Sequence, residues 1–219
     1  MRTRSASEEL ANAATHGVGL ALSVLALPLL LGAALRHGDP PLVAGTAVFA
    51  ASLVTLYLAS TLYHGTRPSR AKEWLRIVDH SAIFLLIAGT YTPFTLGVLR
   101  GPWGWWLFGV IWALALLGIS AKVLIGTRFP RASTAFYLLM GWLAVIALRP
   151  LASALPAAGL GWLVAGGLLY TAGVTFYLRD RRWYDHPVWH LFVLAGSACH
   201  FVAVWAYAIA ASGPTTLRV

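Results

Sequence analysis

Charge is the scarcest commodity in this chain. Only 23 of its 219 residues are Lys, Arg, Asp or Glu, 11% of positions, where a soluble domain carries about a quarter. With 59% hydrophobic residues and a mean hydropathy of +0.74, that scarcity excludes an ordinary soluble fold and identifies a membrane protein. Cysteine is nearly absent. The single Cys199 cannot form an intramolecular disulfide, makes redox chemistry a poor expectation, and reads as buried packing. Repeats and low-complexity tracts are lacking as well. Despite a net charge of +9, no basic run accompanies a solvated domain able to grip a duplex, so nucleic acid is excluded as a partner.

What the sequence does have is long uncharged runs. Cutting at every charged residue leaves seven intervals of 17 residues or more, 10–35, 40–66, 80–99, 101–121, 132–148, 150–178 and 186–217. A hydrocarbon core about 30 Å thick needs roughly 20 residues of helix, so each interval accommodates one span. The fold class expected is an all-α bundle of seven transmembrane helices, near 11–35, 42–64, 75–98, 103–124, 132–148, 159–178 and 188–211, forming a single domain over 1–219. The basic start, Met1-Arg2-Thr3-Arg4-Ser5, mimics a signal peptide, but Glu8 and Glu9 follow and the apolar stretch to Leu35 is too long for one. It reads as a retained first helix.

Connections read as turns at Gly38-Asp39-Pro40-Pro41, Arg67-Pro68-Ser69, Arg100-Gly101-Pro102, Phe129-Pro130 and Arg149-Pro150. Basic residues divide unevenly between the two ends of such a bundle. Arg2, Arg4, Arg67, Arg70, Lys72, Arg76, Lys122, Arg128, Arg131, Arg179, Arg181 and Arg182 fall on one side, against Arg36, Arg100, Arg149 and Arg218 on the other. Short loops rich in Lys and Arg stay in the cytoplasm, so the expectation is a cytoplasmic N-terminus and an external C-terminus. Trp103, Trp105 and Trp106, with Trp183 and Tyr184, read as interfacial anchors. Gly166, Gly167 and Gly173 read as sites of close helix packing.

Chemistry in such a chain must come from polar residues at membrane depth, where they are costly. Six of the seven histidines lie in or at the ends of the expected spans. His186 and His190 are four apart at the start of helix 7, a spacing that puts two imidazoles on one face. His64 closes helix 2, with Ser60 one turn deeper on its face, and Asp79 opens helix 3. Three histidines, a carboxylate and a hydroxyl therefore converge on one membrane level. Three imidazoles with a water make an open, catalytic kind of zinc site, although the same donors suit other divalent transition ions. Glu9, Asn12 and His16 share one face of helix 1; a helix cap with interhelical hydrogen bonds is the preferred reading for them over membership of the site. His200 lies about 15 Å deeper than His190 by helix rise, too far to ligate the same ion, and reads as an interhelical hydrogen bond. His80 points about 100° away from Asp79 and stays outside the metal set.

Together, Ser60-x-x-x-His64, Asp79, His186-x-x-x-His190 and Glu9-x-x-Asn12-x-x-Thr15-His16 resemble the bacterial haemolysin III branch of the progestin and adipoQ receptor family. The resemblance covers essentially the whole chain. It implies seven helices with a cytoplasmic N-terminus in a bacterial inner membrane, zinc ligation by His64, His186 and His190, and supporting or catalytic roles for Asp79 and Ser60. Because that family is grouped with alkaline ceramidases, it also implies hydrolysis of a lipid amide or ester in membrane lipid homeostasis. The chain lacks the long N-terminal domain of the adiponectin receptors, so signalling of their kind is not expected. Three readings stay open: a zinc-dependent hydrolase acting on a membrane lipid, a zinc-stabilised sensor or regulator of lipid composition, and a haemolytic pore. For the last, seven apolar helices offer no evident wide aqueous channel.

Overall fold

The computed structural model describes residues 5–179 and 184–211; Trp183 and the arginines at positions 2, 4, 181, 182 and 218 lie outside them. Seven helices long and apolar enough to cross a membrane account for the described residues: α1 Ala6–His37, α2 Pro40–Gly65, α3 Arg70–Leu99, α4 Gly101–Ile125, α5 Pro130–Ala154, α6 Ala157–Arg179 and α7 Asp185–Ala211. All seven expected spans are present.

α1 and α3 begin more than a turn before the expected boundary, because capping chemistry lies in polar residues that a charge cut-off discards. α1 starts with a capping box: Ser5 Oγ accepts from the Glu8 N–H at 3.2 Å, and the Glu8 carboxylate accepts from the Ser5 N–H at 3.0 Å. Asp39 caps α2 and Ser69 caps α3 through the N–H groups of Leu42 and Lys72. Gly38 closes α1 with φ of 74°, a left-handed conformation that glycine adopts without steric cost.

The Arg149-Pro150 pair corrects the sequence reading. It is not a turn but lies inside α5, and the chain reverses only at Leu155 and Pro156. The helix tightens to a 3-10 form over Leu143–Ala147 and resumes as α-helix over Leu148–Ala154. Pro150 thus occupies the first turn of the resumed segment, where a missing N–H matters least. Tyr91 of α3 completes the break. Its hydroxyl accepts from the Ala144 N–H at 2.8 Å and lies 2.8 and 2.9 Å from the carbonyls of Met140 and Gly141. Backbone groups freed inside a bilayer need such partners.

α1, α2 and α3 pack side by side, α7 lies on α6, and α1 touches α7, so that the first and last helices are neighbours. Phe49, Leu53, Leu56 and Tyr57 of α2 sit at the centre of the core, with Leu30 and Ala34 of α1 and Leu86 and Phe94 of α3. The α6–α7 contact is close because Gly166 and Gly173 leave room for it. A Cβ at Gly173 would fall 2.6 Å from the Phe192 Cβ, whereas one at Gly167 would meet only Trp142, at 3.6 Å. The expected packing role therefore belongs to Gly166 and Gly173. Trp103, Trp105 and Trp106 are exposed at the start of α4, and Tyr184 is exposed just before α7.

Candidate metal centre

The end of α2 and the start of α7 meet at the end of the bundle where α1 begins. There His64, His186 and His190 are all buried, and one ring nitrogen from each lies within 4.8 Å of those of the other two. The ring centroids are 5.2, 5.1 and 4.7 Å apart. The i, i+4 spacing on α7 supplies two of these imidazoles and the last turn of α2 the third.

The surroundings fix which nitrogens face inward. Nδ1 of His64 is 2.6 Å from Oε2 of Glu9. A carboxylate only accepts, so Nδ1 carries the proton and the lone pair resides on Nε2. His190 is held in the same way. Its Nδ1 lies 3.3 Å from the Asn12 carbonyl and 3.1 Å from Thr15 Oγ1, whose own hydrogen is directed at the Ala11 and Asn12 carbonyls, each 2.9 Å away. Both rings thus direct Nδ1–H outward to an acceptor and reserve Nε2, the arrangement by which metal-binding histidines are oriented. This donor set is compatible with a divalent ion.

α1 supplies most of this support. Glu9 also receives the Lys72 ammonium at 3.1 Å, and that ammonium bonds the Thr66 carbonyl at 3.0 Å. One chain of contacts therefore joins α3, α1 and α2. His16 stacks on His190 with centroids 3.5 Å apart and planes 11° apart, and stands edge-on to Tyr57. The preferred reading of Glu9, Asn12 and His16 is corrected in part: the cap is made by Ser5 and Glu8, while all three residues border the histidine cluster. Glu9 does make interhelical hydrogen bonds, as expected. Thr15 enters the sequence reading only within the helix 1 motif and Lys72 only within the count of basic residues, neither with a role at the site. The signal available for Thr15 was its helical spacing from Asn12, whereas nothing in the sequence distinguished Lys72 from the other basic residues beside it.

Asp79 and Ser60 are not within the cluster of ligating nitrogens. Both line a cavity of about 230 Å³ that His186 and His190 also face. Asp79 is half-buried with its carboxylate 3.7 Å from His80 Nδ1, and Ser60 is buried one turn from His64. His80 directs its Nδ1–H at the Arg76 carbonyl, 2.7 Å away, and takes no place in the metal set. His200 makes the expected interhelical contact, with Nε2 3.3 Å from the Leu163 carbonyl of α6. From the histidines the cavity extends between α3, α5, α6 and α7, past Leu86 and Val193, to Leu99, Leu107, Leu151 and Leu160 near the far end of the bundle.

The same sequence has clear relatives. Residues 4–201 match the family described as haemolysin-III related. The chain is 46% identical to hemolysin-3 of Bacillus cereus over 207 residues, 94% of each protein. It is 46% identical to a hemolysin-3 homolog of Bacillus subtilis over 202 residues, 92% of this chain and 95% of that protein. Identity to the human monocyte to macrophage differentiation factor is 31% over 215 residues, 91% of this chain and 84% of the relative. A family match over nearly the whole length, on seven membrane-spanning helices, identifies the chain as a multi-pass membrane protein of the haemolysin III-related family, with a more distant likeness to the progestin and adipoQ receptor type.

Proposed function

We propose that this protein is a zinc-dependent hydrolase of a lipid amide or ester that serves membrane lipid homeostasis. The observation that carries this reading is the joining of three convergent imidazoles to a long, largely apolar cavity. A polar reaction centre at one end and a hydrocarbon-lined passage behind it suit a headgroup linkage and its acyl chain, respectively. His64, His186 and His190 would hold the ion, with Glu9, Asn12 and Thr15 orienting two of them. When bound, zinc supplies Lewis acidity and lowers the pKa of a water to about 7.

The remaining steps belong to side chains. Asp79 takes the proton of the attacking water and returns it to the leaving amine or alcohol. Ser60 donates to the carbonyl oxygen as charge develops there. The excess of basic residues at the end bearing the cluster supports a centre on the cytoplasmic side of the inner membrane.

A second reading, a non-catalytic sensor of lipid composition, draws support from the same contacts. An ion on His64, His186 and His190 would staple α2 to α7, and the Glu9 and Thr15 bonds would add α1. The deciding experiment compares metal content and lipid amide or ester hydrolysis in the purified wild type, Asp79→Asn and His190→Ala. A hydrolase requires about one metal per chain, loss of metal in His190→Ala, and loss of turnover with metal retained in Asp79→Asn. Metal binding without turnover on any lipid amide or ester would favour the sensor. Liposome conductance indifferent to Asp79→Asn would instead favour a pore, and a well-folded wild type without metal would defeat both zinc readings.

A further inference from the structure

The cap of α1 accounts for only one of the two carboxylate oxygens of Glu8. A capping box needs a single oxygen from its glutamate. Glu8 uses Oε2 for this, receiving the Ser5 N–H at 3.0 Å, with the Ser5 hydroxyl 3.2 Å away. Oε1 reaches to another helix. It receives the Tyr184 N–H at 3.1 Å, across the interface between α1 and the start of α7. Glu8 is 2% exposed, and a carboxylate so far withdrawn from water is stable only where donors meet it.

What Oε1 holds is a strained turn. Tyr184 immediately precedes α7 and has φ of 66°. Among the described residues, Arg100 is the one other non-glycine with positive φ. A residue bearing a Cβ enters this left-handed region at a cost and stays there where its surroundings fix it. The Tyr184 carbonyl accepts from the Val188 N–H at 3.2 Å, so the conformation of Tyr184 sets where the first turn of α7 begins. His186 is in that turn, two residues on, and it is one of the three buried, convergent imidazoles. Glu9 already orients His64 from α1, and Asn12 and Thr15 orient His190.

We propose that Glu8 is a positioning residue of the metal centre: its hold on the Tyr184 N–H fixes the turn that opens α7, and thereby the place of His186 beside His64 and His190. The inference rests on the metal reading made above and adds a residue that acts through the backbone of α7. One end of α1 then organises all three imidazoles.

The test separates this hold from the cap that accompanies it. Ser5→Ala takes the hydroxyl out of the capping box and leaves the Tyr184 bond in place, whereas Glu8→Ala removes both. Zinc affinity of the full chain in detergent, read by competition with a chromophoric chelator, should fall about tenfold in Glu8→Ala, as for loss of an outer partner. It should stay at the wild-type value in Ser5→Ala. Hydrogen exchange of the metal-free protein gives a second readout: the Tyr184 amide should be protected in the wild type and in Ser5→Ala, and unprotected in Glu8→Ala. The inference is overturned if Glu8→Ala binds zinc as tightly as the wild type, or if both variants lose affinity equally, which would reduce Glu8 to its cap. Should Glu8→Ala not fold, the wild type still decides, because a Tyr184 amide that exchanges as fast as an unbonded one overturns the inference. A wild type that binds no zinc defeats the metal reading, and this inference with it.

Discussion

Glu9 of α1 holds His64 of α2 through a contact of 2.6 Å between Oε2 and Nδ1. The carboxylate orients the ring, fixes its tautomer and raises the basicity of Nε2. Loss of an outer partner of this kind typically lowers metal affinity about 10- to 100-fold. Glu9→Ala should therefore weaken zinc binding by that factor, measured by competition with a chromophoric chelator, while the helix content stays the same. Unchanged affinity in a folded variant would remove Glu9 from the centre.

Asp79 lies beside the histidines without joining them, so its loss should separate chemistry from metal. For Asp79→Asn, hydrolysis of a responsive lipid should fall about 10²- to 10⁴-fold with zinc content preserved. Parallel loss of metal and turnover would show instead that Asp79 helps to build the site.

The Tyr91 hydroxyl serves the interrupted backbone of α5 at Met140, Gly141 and Ala144. Tyr91→Phe leaves those groups without it, at a cost of about 1–3 kcal/mol. The expected outcome is a lower midpoint of thermal unfolding in detergent. An unchanged midpoint would mean that the break satisfies itself.

Neighbouring glycines of α6 should respond differently to the same substitution. Gly173→Ala drives a Cβ to within 2.6 Å of the Phe192 Cβ, which side-chain rotation cannot relieve, and overpacking of this kind costs about 1–3 kcal/mol. Gly167→Ala meets Trp142 at an ordinary 3.6 Å and should be neutral or slightly stabilising. Equal unfolding midpoints for the two variants would contradict the packing described for α6 and α7.

Orientation can be read with thiol reagents, because Cys199 is the only cysteine in the sequence and is buried. In a Cys199→Ala background, Ser69→Cys should be shielded from an impermeant maleimide in intact cells, and Ala157→Cys, exposed at the start of α6, should react. The reverse pattern would place the histidine cluster outside.

Helix number followed from the spacing of charges alone, since a charge is costly in hydrocarbon wherever the helix packs. Helix ends followed less well. The first turns of α1 and α3 hold charged residues stabilised by caps and interface, and the break in α5 depends on Tyr91, a residue about fifty positions away. At Arg149-Pro150 the local turn signal lost to a helix that had already been interrupted.

The candidate site divides along the same line. Convergence of His64, His186 and His190 at one end of the bundle was legible because alternating spans assign each residue an end and a depth. The partners of those rings were not. Spacing puts Glu9, Asn12 and His16 on one face of α1, but periodicity gives a helix no rotation about its axis relative to its neighbours. That rotation is set by packing, including the contact of Gly19 with Tyr57 and Leu194, and it turns Glu9 to His64 and stacks His16 on His190. The solvent of this protein, the number of its spans and the level of its polar residues are all consequences of transfer free energy along one axis, and so are written in the order of residues. Which of those residues touch depends on side-chain shape at helix interfaces, and it emerges only when the helices pack.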